Sequence, residues 1–204
     1  LPIGLTLLAE TGLFAASSIM MGWLGKIPLA AHGIALQIAS VTFMVPLGLS
    51  QAVTVRIGRA WGKNDTHALR TAGQAGMLLA GVAVICTIVA FLTVPHILIG
   101  LFLDPGDPER PAILATGVTL LAVAALFQLV DSGQVMALGM LRGVQDTRVP
   151  MIMAVISYWL IGMPVGYILG FPAGLGGVGV WLGLTFGLAA ACISMQFRFW
   201  RRHA

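Results

Sequence analysis

The sequence predicts an all-α membrane protein built from six transmembrane helices. Two observations carry that prediction. Of 204 residues, 58% are hydrophobic and 9% are charged, against roughly 25% charged in an ordinary soluble domain. Residues 11–25, 27–55, 71–103, 111–130 and 149–197 hold no Asp, Glu, Lys or Arg, and one span needs about 20 predominantly apolar residues. The last stretch is too long for one helix, and GFPAGLGG at 170–177 punctuates it into two.

The helices are expected near 1–25, 29–57, 68–103, 108–141, 147–170 and 176–199. The first contains LLAETGLFAA, in which Glu10 interrupts an apolar run. The second carries Gln37, Ser40, Ser50, Gln51 and Thr54 around Pro46; the proline removes a backbone donor and should kink it, while the hydroxyls suit helix-helix contacts. Asn64-Asp65-Thr66 can cap the third helix, and Asp107-Pro108 places a cap residue before proline at the start of the fourth. The fourth contains FQLVDSGQVMALG, with Asp131 inside the apolar run. In the sixth, Gly179, Gly183, Gly187 and Ala191 recur every fourth residue, a small-residue stripe suited to close packing.

Basic residues set the direction of threading. Arg56, Arg59, Lys63, Arg70, Arg142, Arg148, Arg198, Arg201 and Arg202 fall on one side, and only Lys26 and Arg110 on the other. The positive-inside tendency then puts both chain ends in the cytoplasm, as expected of a multi-pass protein of a bacterial inner membrane. The opposite loop, DPGDPER, is acidic. The same count places Asn64-Asp65-Thr66 in the cytoplasm, so it reads as a cap and not as a glycosylation acceptor.

Several function classes fall away. The net charge of +4 sits at helix ends, where anionic lipid headgroups are met, so membrane lipid and not nucleic acid is the expected partner. Cys86 and Cys192 lie apart in apolar sequence, and His32, His67, His96 and His203 are scattered; neither a zinc site nor a catalytic triad can be built from them. GLGGVG at 174–179 matches a dinucleotide glycine pattern, but no strand precedes it and no acidic residue follows it. No cofactor is expected. No signal peptide is visible, and the absence of an initiator Met suggests a fragment.

Five of seven acidic residues lie in loops; Glu10 and Asp131 lie within spans. An Asp at a helix centre costs about 2.5–3.5 kcal/mol on insertion scales, so both should face the bundle interior or water. Gln128 and Gln134 flank Asp131 at three residues on either side, which helical spacing gathers on one broad face. Phe127, Met136 and Met140 extend it and read as packing. A carboxyl in such a place can take a proton or remain ionised beside a hard cation with oxygen ligands. H⁺ or Na⁺ at Glu10 and Asp131 is therefore expected, with Gln37, Gln128 and Gln134 as candidate neutral ligands.

At these residues the sequence resembles the multidrug and toxic compound extrusion (MATE) family of secondary transporters, and looks like the carboxy-terminal six-helix lobe of a NorM-like member. The matching pieces are LPIGLTLLAETGLF, AAHGIALQIASVTFMVPLGLSQAVTVRIGRAWG and VDSGQVMALGMLRGVQDTRVPMIMAVISYWLIGMPVGYILG, and the likeness covers essentially residues 1–204. The resemblance implies a twelve-helix protein of two lobes, with the amino-terminal lobe absent here. It implies a cation-coupled antiporter exporting amphipathic, often cationic drugs, with Glu10 and Asp131 at the family's acidic positions. Some members have a tyrosine one turn before that aspartate; this sequence has Phe127 there and offers no phenolic hydroxyl at that position. Alternating access moves one bundle against another, so this lobe alone should not transport.

Competing readings are weaker. A lipid-linked saccharide flippase of the wider superfamily would favour basic residues along its cavity, and no Lys or Arg lies mid-span. An intramembrane acid-base enzyme would pair two aspartates, one typically after Gly-x-Gly, whereas Asp131 follows Leu129-Val130 and its partner is a glutamate. A structural bundle would leave both acids facing lipid.

Overall fold

A computed structural model describes residues 2–203 of the chain. The described residues form helices joined by short turns: α1 (Pro2–Leu24), α2 (Lys26–Gly62), α3 (Thr66–Thr93), a short α4 (Pro95–Gly100), α5 (Arg110–Gly143), α6 (Arg148–Ile156), a π-helical turn (Ser157–Gly162), α7 (Met163–Gly170) and α8 (Gly176–Arg202). Among the described residues six spans are long and apolar enough to cross a membrane, with α6, the π turn and α7 forming the fifth. The outside is apolar: Leu8, Leu78, Leu101, Leu160 and Ile193 are each about 70% exposed, as suits a lipid-facing surface.

The first two spans are joined through Gly25 alone, whose φ of 124° is open to glycine and rare for other residues. That one-residue reversal lets α2 start at Lys26, earlier than the expected 29, because Pro28 falls in the first turn, where its missing N–H would have no partner anyway. At its far end α2 runs to Gly62 and is continuous through Pro46.

Asp65 caps α3 by accepting from the Ala68 N–H at 2.9 Å. The expected single helix over 68–103 is corrected: it ends at Val94, and α4 restarts at Pro95. Pro95 has no N–H to continue the ladder, and it pushes the preceding residue out of helical conformation; Val94 sits at φ −127°, ψ 39°. The start of α5 is corrected too. Asp107 accepts from the Glu109 N–H at 2.8 Å, forming a local turn that delays the helix to Arg110.

α5 is the central helix and packs against α2, α3, α4 and α8. Its crossing with α2 is close enough to need glycine. A Cβ at Gly139 would lie 2.7 Å from the Ser50 carbonyl oxygen, and one at Gly143 would lie 2.9 Å from that of Thr54. The Thr54 hydroxyl donates to the Gly139 carbonyl at 2.8 Å, the helix-helix role expected of it.

The small-residue stripe of α8 packs on the π turn and α7. A Cβ at Gly183 would stand 2.1 Å from Gly166 Cα, and one at Gly187 would stand 2.8 Å from Gly162 Cα. Backbones in such contact gain van der Waals energy along their length. The other face of α8 sends the fully buried Trp181, Leu188, Met195 and Phe199 into the core.

The ends rich in Arg and Lys are laced together. Asp146, after α5, accepts from Arg198 Nε of α8 at 2.6 Å and lies 3.4 Å from His203 Nε2. The His203 ring stands edge-on to Trp61 at the end of α2, centroids 5.6 Å apart. At the opposite ends Lys26 pairs with Glu109 at 2.8 Å, its side chain 80% exposed.

Candidate functional site

Three helices contribute to a half-open cavity of about 60 Å³: Glu10 and Phe14 from α1; Leu36, Ala39, Ser40 and Phe43 from α2; Phe127 and Asp131 from α5. Glu10 and Phe14, Leu36 and Ser40, Ala39 and Phe43, and Phe127 and Asp131 are each four apart, the spacing that aligns side chains on one face. The two carboxylates expected to act together therefore line one space. α1 packs chiefly on α2, α6 and α8, and its Phe14 reaches Phe127 of α5 edge-on, centroids 6.0 Å apart. Phe127 in turn meets Trp181 at 5.4 Å. The position without a phenol is thus filled by aromatic packing.

Asp131 is buried, and its Oδ1 has no hydrogen-bond partner in the protein. Gln128, one turn earlier, is in the same condition at Oε1, although its Nε2 donates to Thr42 Oγ1 at 3.1 Å. Buried acceptors left unpaired cost about 1–3 kcal/mol each, so this cluster calls for a donor or a positive charge. Neither Glu10 nor Asp131 is in an ion pair among the described residues.

The three polar residues of α5 fan out. Successive steps of three residues turn a helix by about 60°, so Gln128 points to α2, Asp131 to the cavity, and Gln134 to the fifth span. There its Nε2 donates to the hydroxyl of the fully buried Tyr158 at 2.6 Å. Gln134 thus serves a neighbouring contact, and Gln37 is exposed on α2, outside the lining. Ser40 does line the cavity; its hydroxyl donates to the Leu36 carbonyl at 2.8 Å and keeps lone pairs free.

Sequence reasoning missed Phe14, Phe43 and Tyr158. Phe14 lies four residues after Glu10, a spacing that would have found it. Tyr158 lies in the first half of the π turn, an irregularity that often marks functional sites, and no residue pattern announces it.

Volume decides what the cavity can take. It exceeds the ~10–15 Å³ that one water needs and falls well short of the ~300 Å³ of a small drug pocket. Two carboxylates and a hydroxyl are hard oxygen donors, matched to a proton or a small hard cation. Among the described residues no group of three or more His, Cys, Asp or Glu gathers as a metal cage.

Residues 2–168 match the MatE family model. The chain is 47% identical over 204 residues to the probable multidrug resistance protein NorM of Brucella suis, covering 100% of this chain and 43% of that protein. It is 48% identical over 202 residues to the protein of the same name in Rhizobium meliloti, covering 98% and 43%. A mutant of the Vibrio cholerae MATE transporter VcmN superposes with a TM-score of 0.87 at 21% identity, over 98% of this chain and 44% of that one. The chain spans less than half the length of these relatives.

Proposed function

The chain belongs to the multidrug and toxic compound extrusion (MatE) family, and from that premise we propose that it is the carboxy-terminal lobe of a cation-coupled antiporter. The whole transporter exports amphipathic, often cationic compounds, and H⁺ or Na⁺ enters this lobe at Glu10 and Asp131. The observation that carries the reading is the cavity lined by both carboxylates, together with the buried Asp131 Oδ1 that has no hydrogen-bond partner in the protein.

In this scheme the cation supplies the charge the cavity lacks. Its arrival changes the interaction between α1 and α5 across Glu10, Asp131, Phe14 and Phe127, and favours one arrangement of the lobe. Coupling follows if the two arrangements differ in drug affinity, since a ligand shifts an equilibrium only by its differential affinity. The drug itself binds elsewhere, because 60 Å³ is too small; a space between this lobe and its partner lobe meets that need. Nine cations at one set of helix ends against two at the other support a cytoplasmic location for both ends of the chain, in a bacterial inner membrane.

The test is efflux by the full-length transporter reconstituted in liposomes, under an imposed Na⁺ or H⁺ gradient, comparing wild type with Glu10→Gln and Asp131→Asn. Loss of gradient-driven efflux in either variant supports the assignment, and the effective gradient names the ion. Undiminished transport in both overturns it.

A further inference from the structure

The end of α2 carries a second feature that cation coupling does not use. Arg56, Arg59 and Lys63 are spaced by three and four residues, so they form one stripe. Across the turn they face His67 of α3, and the two helices bound an open cleft of about 520 Å³. One carboxylate lines it, Asp65, and that side chain is engaged with the Ala68 N–H. Three full positive charges thus stand against one negative, and among the described residues Arg56, Arg59 and Lys63 form no ion pair.

Depth fixes what meets this cleft. α2 has 37 residues, about 56 Å at 1.5 Å per residue, against about 30 Å of hydrocarbon and 40–45 Å including headgroups. Its last two turns therefore stand in a headgroup layer, whichever leaflet that is. Towards the membrane the cleft continues as apolar surface, with exposed Ala52 on α2 and exposed Leu79 and Val82 on α3, in line with the cleft-lining Ala75. The other basic pocket, at the end of α8, differs: Arg198 is paired with Asp146, and Arg201 stacks over Phe197 at 5.3 Å.

We propose that the cleft between α2 and α3 binds the phosphate headgroup of an anionic phospholipid through Arg56, Arg59 and Lys63, with an acyl chain lying along Leu79 and Val82. A cation near such a surface contributes about fivefold in affinity, so removing three should lower occupancy more than tenfold.

The experiment uses the full-length transporter, delipidated in neutral detergent and titrated with phosphatidylglycerol or phosphatidylcholine under native mass spectrometry. Wild type should hold phosphatidylglycerol at least tenfold more tightly than phosphatidylcholine. The triple variant R56Q/R59Q/K63Q should lose that preference, while R56K/R59K and the control R201Q/R202Q keep it. Inorganic phosphate at the same concentration should not displace the lipid. Equal binding of the two lipids by wild type, full retention by the triple variant, or displacement by inorganic phosphate, which would make the cleft a free-anion site, each overturns the proposal.

Discussion

The Gln134 amide and the Tyr158 phenol meet at 2.6 Å in a fully buried contact between α5 and the π turn. Removing one partner strands the other, which costs about 1–3 kcal/mol, whereas replacing both with apolar groups can be nearly neutral. Tyr158→Phe should therefore lower the thermal stability of the full-length transporter in detergent. The double variant with Gln134→Leu should recover part of the loss. A double variant less stable than the sum of the singles contradicts the pairing.

Ser40→Leu should separate cation from drug. Its side chain enters the 60 Å³ cavity beside Glu10 and Asp131, leaving no room for a cation with its ligands. Gradient-driven efflux should fall at least tenfold, while equilibrium drug binding by the purified transporter changes less than threefold. Normal efflux by a correctly folded Ser40→Leu protein would place the cation elsewhere.

Gly183→Ala should abolish accumulation of folded protein, because its Cβ would lie 2.1 Å from Gly166 Cα and force two backbones apart. Gly81→Ala is the control: nothing lies within 4 Å of its added Cβ, and alanine is the better helix former by about 0.5–1 kcal/mol. Fluorescence-detected size exclusion of membrane extracts distinguishes the two.

Asp146→Asn should destabilise by about 1.5–3 kcal/mol, since the Arg198 and Asp146 side chains are only 15% and 13% exposed and a hydrogen bond between charged groups is weakened. Lys26→Gln, which breaks the exposed pair with Glu109, should leave the melting curve unchanged. Parallel thermal melts in detergent read both.

The sequence made the spans visible because apolar length and charge spacing are local quantities. Glu10 and Asp131 stood out for the same reason: a carboxylate in an apolar run is conspicuous without knowing its neighbours. That they line one cavity depends on how α1, α2 and α5 cross, and the crossing of α2 and α5 is fixed by contacts such as Gly139 with Ser50, far apart in sequence. Gln134 shows the limit of face arguments. Three residues beyond Asp131 it belongs to the same broad face, yet 60° of rotation hands it to Tyr158. The break at Val94 was legible, since Pro95 stands in the sequence, but the apolar run through it hid the punctuation.

The clasp of Asp146, Arg198, His203 and Trp61 ties three helix ends at one face of the membrane; among the described residues the ion pair at the other face is the exposed one of Lys26 and Glu109, beside the ring contact of Trp23 with Phe171. The buried ion pair thus lies where the cations crowd, and the exposed one lies at the acidic mouth. A rearrangement of this lobe is expected to part the helices at the acidic mouth before it parts them at the clasp.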